Sequence, residues 1–418
     1  MSDLAHVAAE RGLRHLLFSF NDLFGVQRAK LVPLSAVAEL AASGAGFAGF
    51  AAWLRLTPAD PDVLARPDPA SLMVLPWEPQ VGWVATDLEM GGRPLEQAPR
   101  RVLQRQLARA EAMGLRFRTG VEAEFFLLDP LEGGVADRFD SQTKPCYDQL
   151  ALMRRFPLIR ELIEAMESLG WGPYQADHED ANGQFELNWT FADALITADR
   201  HAFFRVMAAA LAERHGCAVS FDPKPIAGLT GNGAHLHLSL WQGERNLFHD
   251  PGGELGLSAL AYHALAGLLD HAPALCALTN PVPASYRRLG AASTSSGASW
   301  SPGWISYGGN NRTHLVRIPD AQRLELRLAD GAANPYLLQA AVLAAVLDGI
   351  ERQLDPGPRS DRNLHAEPPP PGSARPLPAS LDAALEAFAA DTLLSDALGQ
   401  EFCGAYQELL ARHPERAP

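Results

Sequence analysis

Apolar and polar residues alternate along several short stretches of this chain, and between them the apolar repeat lengthens to that of a helix. Residues 3–17 have the helical spacing and predict a short amphipathic helix. Residues 16–32 alternate, broken by Asn21-Asp22 and Gly25, and predict a hairpin. A further strand pair is expected over 72–87. Gly91-Gly92, Pro94 and Pro99 then interrupt the pattern, which places a domain boundary near residue 97. The first domain, 1–97, reads as a small mixed sheet with one helix.

In the second domain, 98–418, helical spacing returns at 100–113 with Gly114 as its stop, and again at 158–169 before Gly170. Strands are expected at 117–129, 172–178, 184–190, 218–223 and 234–241, with helices at 199–214 and 257–269. A Ser/Gly-rich loop follows at 290–303, then strands at 304–307, 313–318 and 323–328 and a helix at 335–353. A proline-rich tract, 356–378, reads as an ordered surface connection to two C-terminal helices.

Composition narrows the function classes. Of 418 residues, 47% are apolar and 20% charged, as in a soluble globular protein. The 49 acidic residues exceed the 35 basic ones, giving a net charge of −14, which argues against a nucleic-acid or anionic-membrane surface. Cys146, Cys217, Cys276 and Cys403 form no Cys-x-x-Cys pair, so neither a disulfide framework nor a zinc-thiolate site is expected. Asp3, Glu10, Arg11 and Arg14 interrupt any secretory apolar stretch. The most apolar run, 336–346, falls short of the roughly 20 residues of a membrane helix. A cytoplasmic protein is expected.

The chemistry lies in pairs at spacing two. Glu122 and Glu124 stand in GVEAEFF, His235 and His237 in GAHLHLSL, Glu325 and Arg327 in RLELRLAD. In a strand, that spacing puts both side chains on one face, with apolar residues on the other. A single such pair matches any solvated strand face. Three such strands, with Glu179 and Glu186 flanking the turn of HEDANGQFEL, point to a shared cavity. Carboxylates so gathered repel unless cations neutralise them, and oxygen ligands with an imidazole suit Mg²⁺ or Mn²⁺. Six arginines also fall between Arg287 and Arg327: Arg287, Arg288, Arg312, Arg317, Arg323 and Arg327. Arginine suits carboxylate and phosphate recognition, and metals beside arginines are what phosphoryl transfer needs. No Walker A, GxGxxG or GxSxG pattern is present. Tyr147 reads equally well as a pocket or a core residue.

These motifs, in this order with NDLFGVQRAKLVP and NNRTHLVRIP, resemble the glutamine synthetase superfamily over most of the chain. STSSGASWSP and GAGFAGFAAW are similar to its type III-like branch, which includes γ-glutamylmethylamide synthetases. The resemblance implies an α+β fold: an N-terminal β-grasp domain and a catalytic domain whose antiparallel sheet forms a funnel flanked by helices. It also implies homo-oligomeric rings, usually dodecamers, and an ATP-dependent ligase acting on glutamate and ammonia or a small amine through γ-glutamyl phosphate. Glu124, Glu179 and Glu186 would hold one metal ion and Glu122, His235 and Glu325 another. His237, Arg317 and Arg323 would face the nucleotide phosphates. Arg288 and Arg327 would bind glutamate carboxylates, with Gly231 and Tyr147 also at the substrate. Arg312 would steady the transferred phosphoryl group, and Glu179 and Arg288 would share the chemical step.

The sequence departs from that pattern where ammonium would bind. Ala48 stands where an Asp is expected in an FDGSS-like loop, and LGAASTSSGAS has no carboxylate where the family carries a flap Glu. Both losses imply a less anionic pocket that favours a methylamine-like substrate. The alternatives are a synthetase using ammonia only and a non-catalytic relative. Thr230 replaces the Asn usual before the glycine. The segment around Asn363-Leu364-His365 has no Tyr, so adenylylation control is not expected.

Overall fold

The stretch 15–33 folds back on itself: His15–Asn21 pairs antiparallel with Gln27–Pro33, and Gly25, at φ +80°, lies in the turn. The computed structural model describes residues 4–412. His15–Asn21 also pairs in parallel with the long strand Glu78–Met90. Val63–Pro67 and Ala45–Phe47 continue this seven-stranded sheet, and Met73–Leu75 and Arg93–Pro94 add to Glu78–Met90. The helix expected at 3–17 is shorter, Leu4–Glu10, and residue 3 lies outside the described residues. Gly12, at φ +72°, ends it, and from His15 the chain is already extended. Leu34–Ser43 is a helix the sequence reading did not anticipate.

A second sheet of ten strands orders Tyr307–Gly308, Val316–Asp320, Arg323–Leu326, Ala234–Gln242, Arg116–Leu128, Gln184–Trp189 and Pro173–His178. The expected α+β class and sheet funnel are what the structure shows. One face of its strands is core: Val121, Ala123, Phe125, Ala234, Leu236, Leu238, Leu324, Leu326 and Leu328 are all buried. Helix Pro335–Glu351 backs the core, almost wholly buried between Ala259–Asp270, Pro99–Ala112 and Ala194–Arg214. The short helices Ala272–Thr279 and Pro283–Leu289 escaped the sequence reading; the first is buried all round and shows no amphipathic period. The C-terminal part has three helices rather than two, Leu381–Ala390, Thr392–Leu398 and Gln400–Arg412. Asp391 caps the second of them and Gly399, at φ +92°, separates it from the third.

The two sheets meet through buried polar contacts. Arg100 is buried and pairs with Asp87 (2.6 Å) and Asp68 (2.7 Å) from the first sheet side and Asp199 (3.2 Å) from helix Ala194–Arg214. Tyr336 donates to Asp199 at 2.8 Å. Asn334 caps helix Pro335–Glu351 and also donates to the Asp22 carbonyl at 2.9 Å. The four cysteines are free thiols. No helix among the described residues is long and apolar enough to cross a membrane.

Candidate active site

Strand register, more than spacing, assembles the site. Arg116–Leu128 places Glu124 opposite Glu186 and Glu122 opposite His235. Ala234–Gln242 places His237 opposite Glu325, which in turn faces Arg317. Asp177, on Pro173–His178, stands opposite Glu186. The charged face of six adjacent strands is thus one surface.

Ligand-type oxygens of Glu124, Glu179 and Glu186 lie within 4.8 Å of one another, as do donor atoms of Glu122, His237 and Glu325. His237 completes the second trio where the resemblance implied His235. His235 is nonetheless adjacent, its Nδ1 lying 3.0 Å from Glu122, 3.8 Å from Glu124 and 3.9 Å from Glu325. Its Nε2 is buried without a partner. Burial, then repulsion from Glu124, Glu122 and Asp177, pushes Glu179 well above the ordinary carboxylate value. Glu186 is raised by burial and by Glu122, Glu179 and Glu124. Burial opposes ionisation of Glu122 and Glu325 as well, yet here it is outweighed. Hydrogen bonds from His235 and His237 hold Glu122 well down, and Arg327 and His237 bring Glu325 to about 2. The donor set fits hard divalent cations: carboxylate oxygens, imidazole, an unpartnered buried nitrogen, and repulsion that a cation would remove.

The arginines divide by partner. Arg317 donates to Glu325 at 2.6 Å and to Asn310 at 2.8 and 2.6 Å. Arg323 donates to His237 Nδ1 at 3.1 Å and pairs with Asp320. Arg327 is buried, donates to Glu325 at 2.5 Å and to the Trp300 carbonyl at 3.4 Å, and keeps Nε free. Arg288 is buried and donates to the Leu328 carbonyl at 3.1 Å. Arg312 is exposed, and its charge reaches both Arg317 and Tyr147. Arg287, the remaining arginine of the stretch, lies in the last turn of Pro283–Leu289.

Gly231 has no room for a side chain: a Cβ there would stand 2.0 Å from the Pro223 carbonyl oxygen and 3.3 Å from Arg288 Cγ. Tyr147 is exposed rather than core, at φ +65°, and its N–H donates to the His178 carbonyl at 2.8 Å. Burial, together with Cys146 and Glu179, raises its hydroxyl to about 12. Ala48 is exposed, just beyond Ala45–Phe47 in the first sheet.

Beside Glu122, His237 and Arg323 opens a cavity of about 410 Å³, lined also by Arg118, Tyr174, Phe191 and Trp241. Phe191 and Trp241 stack with centroids 6.1 Å apart, and Arg118 lies 4.5 Å over the Trp241 ring. The sequence reading missed these aromatics and Asp177. Phe191 follows the predicted strand 184–190 and Trp241 ends the predicted strand 234–241, so an aromatic at a strand end was the available signal.

Residues 96–416 match the family described as glutamine synthetase, catalytic domain. A glutamine synthetase of Rhizobium leguminosarum bv. phaseoli is 53% identical over 97% of this chain and 94% of its own length. A glutamate–methylamine ligase of Methyloversatilis universalis is 43% identical over 95% of this chain and 92% of its own. Among solved structures, a GmaS/ADP complex superposes with a TM-score of 0.95 at 56% identity, covering 100% of this chain and 98% of that one.

Proposed function

The chain belongs to the glutamine synthetase family and is a carbon–nitrogen ligase, and from that premise we propose that it joins the γ-carboxylate of glutamate to a short alkylamine, methylamine first, with ATP. The observation that carries this reading is the loop 290–303, which has no carboxylate. An ammonium-selective site needs anionic partners for a small, strongly hydrated cation; a neutral, partly apolar rim suits a methyl-bearing amine. Ala48 in place of an Asp points the same way.

A carboxylate is a poor electrophile, so it must first be activated. In this reading the base and ribose of ATP occupy the cavity of Phe191, Trp241 and Arg118, with the phosphates toward His237, Arg317 and Arg323. Mg²⁺ or Mn²⁺, held by Glu124, Glu179 and Glu186 and by Glu122, His235 or His237, and Glu325, would neutralise phosphate oxygens. Arg288, Arg327 and the backbone at Gly231 fix glutamate. Arg312 steadies the phosphoryl group as it passes to the γ-carboxylate, and Arg288 and Glu179 serve the acyl step. The amine then displaces phosphate and leaves the amide. Assembly into rings, commonly dodecamers, completes the proposal; Leu131, Phe139, Leu150 and Met153 supply exposed apolar surface for it.

A second reading, ammonia as the only nitrogen donor, is favoured by the Rhizobium relative's description as a glutamine synthetase. Measuring kcat/KM for ammonia, methylamine and ethylamine by ADP release separates the two. Methylamine is expected to exceed ammonia, and a strong preference for ammonia overturns the alkylamine reading while leaving a ligase.

A further inference from the structure

Between Arg288 and Arg312 the chain has no charged residue, so the loop 290–303 cannot hold itself down by a charge of its own. The charge comes from below. Asp180 is 4% exposed, and its Oδ2 accepts from Thr294 Oγ1 (2.8 Å), Ser296 Oγ (2.8 Å), Trp300 Nε1 (2.6 Å) and Thr230 Oγ1 (3.1 Å). Three of those four donors belong to the loop. The fourth adjoins Gly231. The carboxylate charge strengthens each of these bonds, whereas an amide oxygen at that place would accept them without that charge.

Other contacts confirm that the loop is held over the site rather than beside it. Ser301 donates to the Arg288 carbonyl at 2.8 Å, and Arg327 donates to the Trp300 carbonyl at 3.4 Å. Ser295 donates to the Thr143 carbonyl. Trp300 sits at φ +59°, a left-handed backbone that a bulky residue keeps only where its surroundings over-determine it. Asp180 also follows Glu179 directly and donates its N–H to the Glu179 carboxylate at 3.2 Å, so the latch point is built into the rim of the acidic funnel.

We propose that Asp180 is a positioning residue: it latches loop 290–303 over the acyl-transfer site and so selects the amine over water as the attacking group. The inference rests on the ligase reading given above. An activated γ-glutamyl phosphate meets two nucleophiles. If the amine attacks the acyl carbon, the bond to the phosphate oxygen breaks and amide and phosphate form. If water attacks, the same bond breaks, glutamate and phosphate return, and ATP has been hydrolysed for no amide. Closure that excludes water suppresses the second path. The Thr230 contact ties closure to the segment that carries Gly231, against which the amino acid packs in that reading.

Two measurements on the full-length protein test this. Hydrogen exchange of amides 293–301 reads the latch without any chemistry. Asp180→Asn is expected to speed it by about tenfold, because charge-assisted bonds are lost from a locally opening segment. The ratio of ADP to amide, with glutamate and methylamine present, reads the selection; it is expected to rise from near unity to about twofold or more as water competes. Trp300→Phe, which keeps an aromatic ring and removes one donor, is expected to move both readouts in the same direction by less, and it keeps the test open should Asp180→Asn fold poorly. Unchanged exchange in both variants overturns the latch. Faster exchange with an unchanged ratio overturns the selection against water. A wild-type protein that makes no amide with any amine overturns the ligase reading instead, and the exchange result still decides the latch.

Discussion

Glu325 is fully buried, yet it touches Arg317 at 2.6 Å and Arg327 at 2.5 Å, and its backbone is registered against His237 and Arg317. In the proposed function this one carboxylate joins Arg317, on the nucleotide side, to Arg327, on the glutamate side. Glu325→Ala leaves two arginines without their buried counter-charge, a loss of about 3–5 kcal/mol for breaking such a pair. The expected outcome is a lower melting temperature together with loss of ATP hydrolysis stimulated by glutamate and amine. Retained stimulation at the wild-type level would remove Glu325 from the site. At this scale the sequence was informative where charges repeat at spacing two, because the pleat turns that spacing into a shared face. Asp177 and Asp180 stayed illegible for a related reason. Asp177 becomes a site residue only through its register with Glu186, and Asp180 only through contacts with Thr230 and with loop residues more than a hundred positions away.

Among elements, the C-terminal helices are fastened by a histidine that no motif singled out. His271, between Ala259–Asp270 and Ala272–Thr279, lies 2.9 Å from Asp348 on Pro335–Glu351 and 2.5 Å from Asp391 before Thr392–Leu398. Arg352 pairs with Asp348 and with Asp270. Burial alone would depress His271, but the hydrogen bonds and charges of Asp391 and Asp348 outweigh it and hold it above its ordinary 6.5. A raised imidazole stabilises the fold fully below its unfolded value and loses that contribution as pH rises through the folded one. His271→Gln is therefore expected to lower the melting temperature near pH 6 and to lower it less near pH 9. An equal loss at both would show that the imidazole charge is not what fastens the helices. Amphipathic and alternating elements were readable because one face meets water. Ala272–Thr279 has no such face, and the 3–17 stretch changes from helix to strand at Gly12 without a break in its apolar content.

For the molecule as a whole, a net charge of −14 is not spread evenly. Carboxylates from four strands and the turn at Glu179 converge inside the second sheet, while Arg100 draws Asp68, Asp87 and Asp199 together where the two sheets meet. The second cluster is already neutralised in part by its arginine. At Glu124, Glu179 and Glu186 the charge is met by His235, 3.8 Å from Glu124 and pushed down by burial, and by Arg288, whose charge reaches Glu124. The proposed function therefore stands on divalent cations entering that funnel. Calorimetric titration of Mn²⁺ into metal-free protein, repeated with Glu186→Gln, tests it most directly. Two or more ions per chain are expected, with one class of site weakened about tenfold or more when Glu186 loses its charge. No uptake, or uptake indifferent to Glu186, would contradict the account.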